Sequence, residues 1–288
     1  MANTDLNPIV PIPHLELAKD YKRHLLLAGL LGNSEYVNFY KQRRKDGNYL
    51  ILDPGSYEET TAIIKTSHKV QPSKGLDHYS YIAAAEDLGV QEVIVPDCVG
   101  DYLKTVNLAK DFLESMTTSR LAPFKLELVP QGTNLDHYLT CLTLQMKLAL
   151  KHKQSRDVTI GISKVSGDLA VRSITKTNRC YVNRPITVGL VEKLFPKTEI
   201  HLLGLVDPVE LFFYRYHENI TGIDTTAPFN HALQGCSYKE SYIFEQYPCS
   251  DRLPRVNLNG TLFPDELELA KQNLDVLDGI CKQVGFVE

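Results

Sequence analysis

Ile220-Thr221-Gly222-Ile223-Asp224-Thr225-Thr226-Ala227-Pro228 is an apolar, β-branched run that ends on a lone aspartate, with a proline four residues later. A carboxylate at the end of a buried strand is costly unless it is hydrogen-bonded or has a chemical use. The same pattern occurs in Tyr49-Leu50-Ile51-Leu52-Asp53-Pro54-Gly55 and in Glu92-Val93-Ile94-Val95-Pro96-Asp97. Each run closes on Asp with Pro or Gly beside it. The repetition predicts three carboxylates delivered to one rim of a parallel sheet or barrel.

Around these runs, strands and helices alternate. Further strands are predicted at Lys125–Val129, Thr159–Ser163 and Glu199–Leu205, and their nearly continuous apolar character suits parallel strands covered on both faces. Helical stretches are predicted at Asn33–Asp46, Tyr79–Leu88, Asp101–Ser115, Asn134–Leu150, Ile186–Leu194, Pro208–Tyr216 and Pro264–Val284. His24–Leu30 reads as either a buried strand or a helix segment, and residues 1–20, with Pro8, Pro11 and Pro13, as an irregular lead-in. Counting the ambiguous run gives seven strands, with an eighth expected between Phe229 and Phe244. The expectation is a single α/β domain over residues 1–288, a (β/α)8 TIM barrel with a C-terminal helix near 262–285; an open doubly wound sheet is the alternative.

The 288 residues are 43% hydrophobic and 23% charged, as in ordinary globular proteins, and suffice for a sizeable core. A formal net charge of -4 excludes a global basic field, so any nucleic-acid contact must come from local patches. No apolar run approaches the ~20 residues that span a bilayer, and no signal-peptide layout opens the chain. The expected location is the cytoplasm, without a membrane partner. Six scattered cysteines, with no CxxC and no Cys/His cluster, read as reduced thiols and predict no metal.

In a barrel, chemistry gathers at the C-terminal ends of the strands. The residues there are Asp53, then Asp97, then Gln131 and Gly132, then Gly161, Ile162 and Ser163, then Gly204, and Asp224. Asp and Gln supply acceptors and donors that match a purine edge, and Gly permits close backbone approach. Simpler readings stand beside these. Asp53 suits a turn or a helix cap, Asp97 a cap for the next helix, and Gln131 a solvated loop. Candidate phosphate contacts are Arg43 and Arg44, the run Lys151-His152-Lys153-Gln154-Ser155-Arg156, and Arg172, Lys176, Arg179 and Arg184; each equally suits a solvated face.

Six stretches, in order, resemble motifs of the tRNA-guanine transglycosylases. Ile51-Leu52-Asp53-Pro54-Gly55-Ser56-Tyr57-Glu58 is similar to their Asp-Ser-Gly-Gly-Phe-Gln signature, and Val95-Pro96-Asp97-Cys98 to their second aspartate. Val129-Pro130-Gln131-Gly132 resembles their Val-Gln-Gly turn. Ile160-Gly161-Ile162-Ser163-Lys164-Val165-Ser166-Gly167-Asp168 resembles Gly-Gly-Leu-Ala-Val-Gly-Glu, and His201-Leu202-Leu203-Gly204-Leu205-Val206-Asp207-Pro208 resembles Leu-Met-Gly-Val-Gly-x-Pro. Asp224-Thr225-Thr226-Ala227-Pro228 shares the aspartate and proline of the nucleophile motif Asp-Cys-x-x-Pro. The family's Pro-Thr-Arg continuation is Pro228-Phe229-Asn230 here, and its zinc knuckle is absent: Cys236, Cys249 and Cys281 are too dispersed. These departures resemble the branch that modifies DNA, the DpdA-like 7-deazaguanine transglycosylases, often encoded by phages.

The resemblance implies a glycosyltransferase that exchanges guanine in DNA for a 7-deazaguanine through a covalent aspartyl intermediate, without a cofactor. Asp224 would be the nucleophile and Asp53 the general acid/base. Asp97 and Gln131 would hold the base, with Gly132 in the same turn. Gly161, Ile162 and Ser163 would floor the pocket, and Tyr57 would stack on the base or belong to the core. The implied partners are DNA and a free 7-deazaguanine such as 7-cyano-7-deazaguanine, in the host cytoplasm if the chain is phage-encoded. A tRNA-directed enzyme, a barrel hydrolase using Asp53, Asp97 and Asp224 as metal ligands or acid/base groups, and a non-catalytic nucleobase- or nucleic-acid-binding barrel are the alternatives.

Overall fold

The computed structural model describes residues 4–55, 77–116, 124–152, 158–176, 180–205, 207–239 and 255–283. Eight strands lie among them: β1 (Asp5–Pro8), β2 (Arg23–Leu27), β3 (Tyr49–Asp53), β4 (Glu92–Ile94), β5 (Lys125–Leu128), β6 (Val158–Ser163), β7 (Glu199–Leu203) and β8 (Ile220–Thr225). All ladders are parallel, in the order β1-β8-β7-β6-β5-β4-β3-β2. The end strands β1 and β2 come within 8 Å at their Cα positions, so the sheet curls into a nearly closed barrel. Helices α1 (Ser34–Lys45), α2 (His78–Leu88), α3 (Tyr102–Met116), α4 (Leu135–Lys151), α5 (Lys164–Thr175), α6 (Cys180–Leu194), α7 (Ala227–Ala232) and α8 (Pro264–Cys281) lie between and after the strands. The (β/α)8 architecture expected from the alternation is the one observed.

The eighth strand is not where it was expected. No strand occurs among the described residues after Phe229; the missing one is β1, inside the stretch read as an irregular lead-in. Among the described strands it pairs with β8 alone, from Asp5 opposite Gly222 to Pro8 opposite Thr225. Pro8 has no N–H to give a second neighbour, which suits a strand with a single ladder partner. His24 falls in β2, followed by a 3-10 turn at Ala28–Leu30. Helix α5 was not expected at all. Pro208–Tyr214 is a 3-10 helix, and the C-terminal helix is shorter than expected, ending at Cys281.

Period-two alternation sorts each strand into two faces. Leu26, Leu50, Leu52, Val93, Leu126 and Leu128 face outward against the first helices. Ile160, Ile162, Ile200, Leu202 and Ile223 do so against the later ones. Leu25, Leu27, Ile51, Ile94 and Val129 form a separate cluster inside. Helix starts are fixed by side-chain caps that satisfy otherwise orphaned N–H groups: Asn33 for α1, Asp77 for α2, Asn134 for α4 and Ser163 for α5. The Tyr81 hydroxyl donates to the Leu52 and Ile94 carbonyls at 2.6 and 3.0 Å, tying α2 to the upper ends of β3 and β4. Among the described residues no helix is long and apolar enough to cross a membrane.

Candidate active site

The upper end of the barrel holds a cavity of about 260 Å³. Asp53 from the end of β3, Asp97 from the loop after β4 and Asp224 from the end of β8 all line it, with Gln131 and Ser163. The three carboxylates predicted from strand ends therefore share one cavity. Its apolar lining includes Leu27, Ile94, Val129 and Leu203, a setting suited to a flat ring with polar edges.

Asp224 is 5% exposed. Both of its oxygens accept from the Gly204 N–H, at 3.2 and 3.1 Å. Gly204 sits at φ 72°, a left-handed conformation that a residue with a Cβ adopts only with strain, and it follows directly on β7. Burial pushes the Asp224 carboxyl up to about 6; His201 and the Gly204 N–H pull against that rise, and the nearby Glu127 adds to it. Near neutral pH the group is thus an anion that has lost most of its hydration, a condition that favours nucleophilic or proton-transfer work.

Asp97 and Gln131 act together. The Gln131 amide donates to Asp97 Oδ2 at 2.6 Å, and its carbonyl oxygen accepts from the Gly100 N–H at 3.2 Å. Gln131 is fully buried, and through this bond it orients Asp97 at the cavity wall. Asp53 is half-buried, with Oδ1 accepting from the Gly55 N–H at 2.7 Å. Ser163 Oγ caps α5 by accepting from the Ser166 N–H at 3.1 Å.

Other predicted site residues lie elsewhere. Gly161 is a layer deeper, where a Cβ would meet Glu127 Oε1 at 2.5 Å; its missing side chain makes room for that carboxylate and not for a ligand. Ile162 is fully buried in the outer core, because neighbouring residues on a strand face opposite ways. Gly132 packs against the start of α4, where a Cβ would stand 2.6 Å from the Tyr138 nitrogen. Tyr57 lies outside the described residues.

The basic candidates are also redistributed. Arg184 is fully buried, paired through two nitrogens with Glu210 and donating to the Leu203 carbonyl at 2.8 Å, so it is structural and cannot meet a phosphate. Arg172 pairs with Asp168, one turn earlier on α5. Lys176 is the exposed C-cap of that helix. Arg43 and Arg44 fall in the last turn of α1, which runs back to the N-terminal rim, away from the cavity. There Arg43 donates to the Lys19 carbonyl at 3.1 Å and Arg44 to the Gly89 carbonyl at 2.7 Å. Arg179 and residues 153–156 lie outside the described residues. Among the described residues the cations that line the cavity are Lys164 and Arg255, neither of which was predicted as a phosphate contact.

Arg255 belongs to a segment, with Val256 and Leu258, that closes one side of the cavity. The Val256 N–H donates to Asn230 Oδ1 at 2.8 Å, and the Ile12 N–H to the Leu258 carbonyl at 2.7 Å. No sequence pattern announced this segment. Glu127 and His201 were also missed, although a signal existed: each is a polar residue between apolar neighbours in a buried strand, Leu126-Glu127-Leu128 and Ile200-His201-Leu202. Among the described residues no group of three His, Cys, Asp or Glu side chains is arranged to hold a metal ion.

Fold and site together define a parallel (β/α)8 barrel with an acid-lined cavity at the C-terminal ends of its strands. No protein-family model matches the chain, and a search of curated proteins finds no match.

Proposed function

We propose that the protein is a base-exchange glycosyltransferase that replaces guanine in DNA with a 7-deazaguanine. The observation that carries the reading is the shared cavity: Asp53 and Asp224, from the ends of β3 and β8, and Asp97, from the loop after β4, line it together. The order and content of the six motifs that resemble tRNA-guanine transglycosylases support it further. Asp224 attacks C1′ of the target nucleotide, forming an aspartyl ester as the bond to guanine breaks; Asp53 gives the departing base its proton. The incoming 7-deazaguanine returns a proton to Asp53, attacks C1′ and releases Asp224. Two displacements through a carboxylate ester split one hard step into two and keep the configuration at C1′.

In this mechanism Asp97, held by Gln131, accepts from the N–H groups on the pyrimidine edge of the base. The target base must leave the helical stack to enter the cavity. Lys164 and Arg255, which line the cavity, are the cations this reading assigns to the flanking phosphates, a role that Arg43, Arg44 and Arg184 cannot fill. Attack requires ionised Asp224, so exchange should rise as pH climbs through about 6.

The test is incubation with guanine-containing duplex DNA, single-stranded DNA and tRNA in parallel, each with labelled 7-deazaguanines. Label should enter DNA without ATP and be absent with Asp224→Asn. Incorporation into tRNA alone would move the substrate to the tRNA-directed reading. No incorporation into any polymer, across several 7-deazaguanines, would end the proposal.

A further inference from the structure

Parallel barrels are ordinarily filled by branched apolar side chains, yet beneath Asp224 the interior is polar. His201 on β7 is fully buried. Its Nδ1 lies 2.9 Å from Glu127 Oε2 on β5, and its Nε2 lies 3.1 Å from Asn7 Nδ2 on β1 and 3.7 Å from Asp224 Oδ1 on β8. Glu127 and Asn7 are as buried as His201. Two strand glycines make the space: besides Gly161 against Glu127, a Cβ on Gly222 would stand 3.0 Å from Asn7 Nδ2 and 3.2 Å from His201 Cδ2. Glycine weakens a strand, so two of them facing one cluster mark a constraint set by that cluster.

The remaining charged groups around the cluster are paired with one another. Arg23 on β2 meets Glu92 on β4 at 2.9 Å, and the Tyr49 hydroxyl donates to the same Glu92 oxygen at 3.0 Å. Lys125 on β5 meets Glu199 on β7 at 2.6 Å. Glu127 turns to His201. Burial, with the Glu92 charge adding and Arg23 opposing, holds the Glu127 carboxyl well above the usual range. Burial also presses His201 down to about 4, against the pull of Asp224. Both directions describe a neutral pair with its shared proton on Glu127.

We propose that His201, oriented by Glu127, is a positioning residue that holds Asp224 from inside the barrel. Glu127 donates its proton in a hydrogen bond to Nδ1, which leaves the ring hydrogen on Nε2, facing the Asp224 carboxylate. The Asn7 amide, 3.1 Å from the same nitrogen, fits this tautomer when it is turned so that its Oδ1 accepts; the single Nε2 hydrogen is then bonded to Asn7, and its positive end still lies on the Asp224 side of the ring. No bond forms or breaks. The Gly204 N–H is hydrogen-bonded to the carboxylate from β7, and the imidazole dipole acts on it from below across 3.7 Å. The proposal takes Asp224 as the reacting carboxylate of the preceding section, but its test reads Asp224 directly.

In the intact chain labelled with carboxyl-13C aspartate, the Asp224 resonance is identified by its loss in Asp224→Asn and then titrated. Wild type should titrate near pH 6. Folded His201→Phe should move the midpoint up by about one unit, since a dipole favouring the anion is gone. Glu127→Gln still donates an N–H to Nδ1 and should stay within about half a unit of wild type, whereas Glu127→Leu should follow His201→Phe. If His201→Phe does not fold, His201→Asn serves: an upward shift supports the proposal and none overturns it. An unmoved midpoint in His201→Phe, or equal shifts for Gln and Leu at Glu127, also overturns it. A moved midpoint in a chain that exchanges no base would keep the positioning role and sink the reaction; an unmoved one in an active chain does the reverse.

Discussion

Leu25, Leu27, Ile51, Ile94 and Val129 pack one part of the barrel interior, carried by β2 to β5, whereas Asn7, His201 and Asp224 from β1, β7 and β8 line another. The apolar part gains stability from burial, each such side chain contributing about 1.5–3 kcal/mol. The polar part gives some back, because every group in it has left water. Both contribute to the same cavity, in which Leu27, Ile94 and Val129 meet Asp224. The difference teaches a division of labour: the apolar part shapes the space, and the polar part holds a charged oxygen where a ligand can reach it.

The sharpest way to break this comparison is at Asp224. Asp224→Asn should lower base exchange at least about a thousandfold with the fold intact, measured by label incorporation. Cutting the apolar part should do the opposite. Ile51→Ala should cost about 2–4 kcal/mol in urea denaturation while exchange per folded molecule stays near wild type. Equal loss of activity in both variants would erase the distinction.

A third comparison concerns stability against pH. The folded Asp224 carboxyl sits near 6, above the ordinary aspartate value of about 3.9, so the folded state holds its proton more tightly than the unfolded chain. Wild-type stability should therefore fall between pH 4 and 6 and level off above, a loss on the order of 2–3 kcal/mol. Asp224→Asn removes that loss: it should be the more stable chain at pH 8, with the gain fading as pH drops through 6 towards 4. Equilibrium denaturation at the two pH values checks the sign. The smallest effect is expected at the rim, where Arg255→Ala should reduce the slope of log affinity against log salt for DNA by about one, while Arg43→Ala leaves it unchanged.

Much of the fold was legible because long apolar runs ended on Asp, and a strand buried on both faces leaves that signature. Strand β1 was not legible: four residues with a terminal proline, among further prolines, carry no periodicity. Helix α5 was obscured because Ser163 was read as the end of a strand and Ser166 and Gly167 interrupt the apolar period, although Ser163 is its cap. At the site, Asp53, Asp97 and Asp224 were visible as strand-end acids. Ile162 was misassigned because alternate residues of a strand face opposite sides, and Gly161 because, although on the same side as Ser163, it lies one layer below the cavity. Arg184 looked like any other surface cation; only the distant Glu210, 26 positions on, makes it a core residue. Arg255 enters the cavity by tertiary contact alone, which no local pattern records.

Strand β1 leaves the ribosome before the other seven described strands, yet among them its ladder partner is β8. Thr4, just ahead of it, hydrogen-bonds across 216 positions to the Ile220 carbonyl. Loop closure over that span is entropically costly and slow, so the seam between β1 and β8 should be the last part of the barrel to form during synthesis. Asn7 is on that seam, next to His201. The chain therefore acquires the innermost contact of its cavity only when folding is nearly complete, and partly folded chains would carry Asp224 without the support that positions it.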